Sequence, residues 1–170
     1  MRALLVVISL LAPPVIAADF RGTDFGSPCA AIDEREIAAG SNHGPWIQRG
    51  PGAYPFMGRA FERDVRITYL CRDGVLKLGD YHFPPRRYDD AVSDFAAAYS
   101  FYSSAFGSPL MVYSKLGVSP VLPAVGTAAP ADYHVTWRAE GYWIHLDIML
   151  HGDAAGTNWQ VMAIVSEDTK

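Results

Sequence analysis

The stretch Tyr133–His151, YHVTWRAEGYWIHLDIMLH, decides the fold. Two alternating runs flank Glu140-Gly141, the spacing of a two-residue hairpin turn in which glycine readily takes a positive φ. If Ala139 pairs with Tyr142, then Trp137 faces Ile144, Val135 faces Leu146 and Tyr133 faces Ile148, so one surface is wholly apolar. The other surface carries Arg138 opposite Trp143, Thr136 opposite His145 and His134 opposite Asp147, with Met149 and His151 continuing the row. The inward and outward assignments agree on both strands, so the pattern specifies the register.

Working outward, WQVMAIVS reads as a last strand after the turn HGDAAGTN, and Met111–Tyr113 as a short strand before the hairpin. Between them GVSPVLPAVGTAAPAD has three prolines and no apolar period, so it predicts a surface loop. Val92, Phe95, Tyr99, Tyr102 and Phe106 recur at spacings of 3, 4, 3 and 4, the apolar stripe of a helix that packs on a sheet. Asp89 or Asp90 can cap that helix, and Gly107 stops it. From Tyr54 to Phe83 three strands follow one another. Asp73-Gly74 is the second turn, pairing Cys71 with Leu76 and Tyr69 with Leu78 inward, while Arg66, Thr68 and Lys77 face outward. Ser27 as N-cap and Pro28 at the first helical position predict a first helix over Pro28–Ala39. The Gly- and Pro-rich segment SNHGPWIQRGPGAYP after it reads as a loop anchored by Trp46.

Each half thus runs helix, then three antiparallel strands, a possible α-β-β-β pseudo-repeat. The fold class expected is α+β, a curved antiparallel sheet of six or seven strands with two helices on one face and the other face wet.

Residues 1–17 combine Arg2, an apolar run and the small-residue site Val15-Ile16-Ala17, the pattern of a secretory signal peptide. The run is too short and too proline-broken to span a membrane. Residues 18–170 remain as a single expected α+β domain, periplasmic or secreted. The full chain has 14 Lys and Arg against 18 Asp and Glu, a net charge of −4, and the expected cleavage removes Arg2 as well. Nucleic acid is a poor partner for such a surface. The two cysteines, Cys29 and Cys71, are expected to form a disulfide in an oxidising compartment.

The segments DFRGTDFGSP (19–28), GRAFERDVRITYLCRDGVLKLGDYHF (58–83) and AFGSP (105–109) resemble small exported bacterial domains of unknown function. The element order resembles the helix-plus-meander units of β-lactamase-inhibitor-like and outer-membrane-assembly lipoprotein domains. The first resemblance implies a fold and brings no catalytic residues. The second implies a partner-binding role by architecture alone.

G-x-S-x-G, GxxxxGK[ST] and HExxH are all absent, and no cofactor is expected. The run Asp33-Glu34-Arg35-Glu36 reads as a solvated helix face, and His43 and His82 as isolated. On the polar face of the hairpin, His134, His145 and Asp147 lie within cross-strand reach, so they can hold a divalent metal or simply pair on a solvated sheet. Trp143 and Met149 beside Arg138 have the composition of an interface core, unless the loop over 115–131 folds across them. The sequence therefore predicts a non-catalytic envelope protein that binds a protein or peptide through Arg138, Trp143, His145, Asp147 and Met149. The alternative is a metal-binding protein or metal-dependent hydrolase using His134, His145 and Asp147.

Overall fold

The computed structural model describes residues 19–44, 52–114, 132–151 and 158–168. The expected leader, the Trp46 anchor, the 115–131 loop and most of the turn after His151 lie outside these residues. A small two-stranded ladder, β1 (Asp19–Phe20) with β2 (Thr23–Asp24), precedes a 3-10 turn at Cys29–Ala31 and helix α1 (Ile32–Ala38). Strands β3 (Asn42–His43), β4 (Ala53–Ala60), β5 (Arg63–Arg72) and β6 (Val75–His82) follow, then helix α2 (Tyr88–Phe106). The chain continues with β7 (Met111–Ser114), β8 (Tyr133–Ala139), β9 (Tyr142–Leu150) and β10 (Trp159–Glu167).

The sheet is antiparallel, unclosed and eight-stranded, in the order β3-β4-β5-β6-β10-β9-β8-β7. That order is a palindrome of two units, each a helix followed by four strands, joined where β6 pairs with β10. The expected six or seven strands become eight because Asn42 and His43, inside the stretch read as a loop, pair with Met57 and Phe56. Two polar residues carry no alternation that could announce a strand.

The deciding hairpin has the register its pattern requires, from Ala139↔Tyr142 at the turn to Tyr133↔Ile148 at the far end, and Gly141 sits at φ 85°. The β5–β6 hairpin departs from expectation. Its turn pairs Cys71 with Leu76, but the ladder then skips Lys77, so Leu70 meets Leu78 and Tyr69 meets Gly79 rather than Leu78. This bulge turns Leu78 to the open face and puts Gly79 inward. The reason is steric: a Cβ on Gly79 would lie 2.1 Å from Phe20 Cδ1, so the Phe20 ring occupies the place of a side chain. Lys77, expected in the outward row, is the extra residue, and its Nζ meets Glu167 Oε2 at 2.6 Å.

Both helices cover the same face. In α2, Val92, Phe95 and Tyr102 are buried and Tyr99 and Phe106 partly so, with Tyr99 and Tyr102 against Trp137 at ring distances of 5.4 and 5.6 Å. The helix starts at Tyr88 without a side-chain cap, and Asp89 and Asp90 stand in its first turn. A missing cap costs about 1 kcal/mol, whereas each fully buried large apolar side chain contributes about 1.5–3 kcal/mol, so the stripe sets this helix. Gly107 ends it at φ 79°, and its carbonyl accepts the Trp137 Nε1–H at 3.1 Å.

The first helix is shorter than Pro28–Ala39 and begins without the Ser27 cap. Ser27 instead gives its backbone to the sheet, its carbonyl accepting the Leu76 N–H. A seven-residue helix is marginal by itself. Two tethers hold it: the disulfide from Cys29 to Cys71, and Glu36. Glu36, expected in solvent, is 1 % exposed and accepts hydrogen bonds from Arg21 Nε (2.7 Å), Ser41 Oγ (2.6 Å) and the Tyr69 hydroxyl (2.5 Å).

Candidate functional site

The face of the sheet opposite the helices is assembled by register alone. One cross-strand row reads Arg66, His82, Met162, Asp147, His134 and Tyr113; the next reads Thr68, Asp80, Ile164, His145, Thr136 and Met111. A third row holds Leu70, Leu78, Ser166, Trp143 and Arg138. Neighbouring strands stand about 4.8 Å apart, so each row is a continuous band of side chains.

The residues read from the sequence are all on this face. His134 Nδ1 donates to Asp147 Oδ1 at 2.6 Å. His145 Nδ1 shares a hydrogen bond of 3.2 Å with Thr136 Oγ1. The Arg138 guanidinium lies 4.9 Å from the centre of the Trp143 ring and reaches Asp168 Oδ2 at 2.8 Å. Trp143 in turn stacks on His145, with an interplanar angle of 11°. Met149 is half-buried and follows Asp147 along β9. Burial pushes the Asp147 carboxyl above its ordinary value, against the hydrogen bond and charge of His134 that pull it down.

His134, His145 and Asp147 do not converge on one point, because His145 is turned to Thr136 while His134 is spent on Asp147. Among the described residues no group of three His, Cys, Asp or Glu side chains is placed to hold a metal ion.

A second polar group on the same face escaped sequence reasoning. His82, read as isolated, has its Nε2 3.1 Å from Asp80 Oδ1 and lies directly across from Arg66. Arg66 Nε, Asp80 Oδ1 and His82 Nδ1 are buried without a well-formed hydrogen bond, although Asp80 and His82 are within ion-pair distance. The available signal was the spacing Asp80-x-His82 on a strand, which puts both side chains on one face. Two His–Asp pairs thus flank the central strand, where Met162 and Ile164 form a half-buried apolar ridge between them. His43 stands apart from both, tilted against Phe56 at the β3 edge with ring centres 5.3 Å apart.

The arrangement offers an open surface with a half-buried apolar middle and a His–Asp pair on either side. On it a hydroxyl meets an imidazole at Thr136 and His145, and Thr136 is buried. Comparison with protein-family models, with curated proteins and with solved structures finds no match, so the reading of this face rests on its own geometry.

Proposed function

We propose that the protein is an exported, non-catalytic binding protein of the cell envelope that holds a protein or peptide partner against the open face of its sheet. One observation carries the reading. Four of the large apolar side chains left exposed among the described residues, Met57, Leu70, Met111 and Tyr113, lie on this face, with half-buried Trp143, Met162 and Ile164 between the two edges. Apolar and aromatic side chains interleaved with Arg are enriched in interfaces. The disulfide supports an oxidising compartment, and no described helix is long and apolar enough to cross a membrane.

The test is site-specific photocrosslinking of the protein exported into a bacterial periplasm. A photoreactive residue in place of Met162 should give a discrete adduct that Trp143→Ala and Arg138→Ala reduce and His43→Ala, at the β3 edge, leaves in place. The same probe at Ser93, on the exposed side of α2, should give none. Equal labelling from both positions, or none from either, removes the proposal.

A further inference from the structure

The geometry points to a second site on the helix side of the sheet: the groove between α1 and α2 binds a small amphiphile with an apolar or aromatic body and a single anionic head, a carboxylate or sulfonate. This site is separate from the open face and does not depend on what that face binds.

The groove follows from the palindromic topology. Each helix packs on its own half of the sheet, α1 over β4 and β5 and α2 over β8, β9 and β10, so the central seam lies between them. The resulting cavity has a volume of about 570 Å³, within the range of small-molecule sites, about 300–1,000 Å³. Its floor is Tyr81, Tyr142, Ile144 and Val165, and one wall is formed by Phe101, Ala105 and Phe106 of α2. Phe101 is 55 % exposed and lies on the rim, where a bound apolar group would cover it.

A further wall is held at a conformational cost. Phe61 and Glu62, the turn between β4 and β5, have φ of 53° and 60°, which residues other than glycine rarely adopt. This places the Phe61 ring in the groove, stacked on Phe83 and edge-on to Phe101 and Tyr81. The two-residue turn between Ala60 and Arg63 requires positive φ at both central residues, so the hairpin itself fixes where the Phe61 ring stands.

Charge selects the head group. Among the described residues the charged lining is Arg21, Arg35 and Glu36, two cations against one anion. Glu36 is fully engaged by Arg21, Ser41 and Tyr69, and Arg21 is engaged by Glu36 and the Arg59 carbonyl. Among the described residues Arg35 bonds through Nη1, to the Gly22 carbonyl and to Thr23 Oγ1. Its remaining guanidinium edge is the cation available to a ligand, and a guanidinium fork favours a planar anion. The remaining lining is apolar or tyrosine, which suits the body of the molecule.

Calorimetry of the oxidised protein with anilinonaphthalene sulfonate tests this. Saturable binding of one molecule per chain is expected, weakened about fivefold or more by Arg35→Gln and about tenfold or more by Ala105→Trp, which fills the groove. Trp143→Ala, on the opposite face, should leave the affinity unchanged, and dansylcadaverine, a cationic probe of similar size, should bind more weakly. Should Ala105→Trp not fold, Phe101→Ala at an exposed rim position serves in its place. Absence of saturable binding, indifference to Arg35→Gln and the groove variant, or equal affinity for the cationic probe overturns the inference.

Discussion

The Tyr69 hydroxyl donates to Glu36 Oε1 at 2.5 Å, and so a tyrosine from the middle of the sheet closes the shell of a carboxylate that α1 carries inward. The two replacements that break this contact should differ in cost. Tyr69→Phe removes one donor and should lower stability by about 1–2 kcal/mol. Glu36→Ala leaves half-buried Arg21 without its counter-charge and the Tyr69 and Ser41 hydroxyls without their acceptor, and should cost about 3 kcal/mol. Urea unfolding of the two variants checks the ranking; an equal loss would mean that the carboxylate is not the hub of the contact.

Acid should act through the same group. Burial works to raise the Glu36 carboxyl, but the hydrogen bonds from Arg21, Ser41 and Tyr69 together with the Arg21 charge hold it below its ordinary value. The unfolded carboxyl takes a proton first as pH falls through about 4.3, so the stabilisation is complete above that point and is lost as pH drops toward the folded value. Asp147 has the opposite sign. Its folded value is raised by burial despite His134, so stability falls as pH rises between its ordinary and its folded value. Urea midpoints measured from about pH 3 to 6 should show a shallower acid limb in Glu36→Gln and a steeper one in Asp147→Asn.

The disulfide closes a loop between residues 42 apart in sequence. In the chain-entropy account, Cys29→Ser with Cys71→Ser should cost about 4 kcal/mol, and α1 should be the first element to lose amide protection in hydrogen exchange. Uniform loss of protection across the sheet would contradict the tethering role given to this bridge.

Gly79→Ala should destabilise the fold by about 1–3 kcal/mol, because the new methyl meets the Phe20 ring and not solvent. Phe20→Ala alone should be costly as well, but the double variant should be less damaging than the sum of the two. Strict additivity in the thermodynamic cycle would show that Phe20 and Gly79 are not coupled.

How far these features could be read from residues depended on how local their causes are. The β8–β9 register was legible because a period of two and a tight turn leave one consistent pairing. The bulge opposite Leu70 and Cys71 was not, since it answers to a ring from residue 20, some sixty positions away in the chain. His134, Thr136, His145 and Asp147 were found together because one hairpin holds them. The Asp80–His82 pair had a local signal in its spacing, but its place opposite the His134–Asp147 pair depends on β10 lying alongside β6, which no local pattern encodes. Glu36 was misread for a similar reason. A charged residue in a charged run looks solvated until Arg21, Ser41 and Tyr69 are brought round it by the fold.

The palindromic strand order also has a temporal meaning. Among the described residues, strand pairing between the halves is that of β6 with β10, and the disulfide lies wholly within the first half. As the chain emerges, residues up to His82 can therefore complete their ladders, close their covalent loop and set α1 before α2 exists. What they leave is one open edge, β6, whose pairing partner arrives last. Until then that edge is available to β10 of any other copy, and the short link from Phe83 to Arg87, itself hydrogen-bonded to β10, is the point at which two chains would exchange halves.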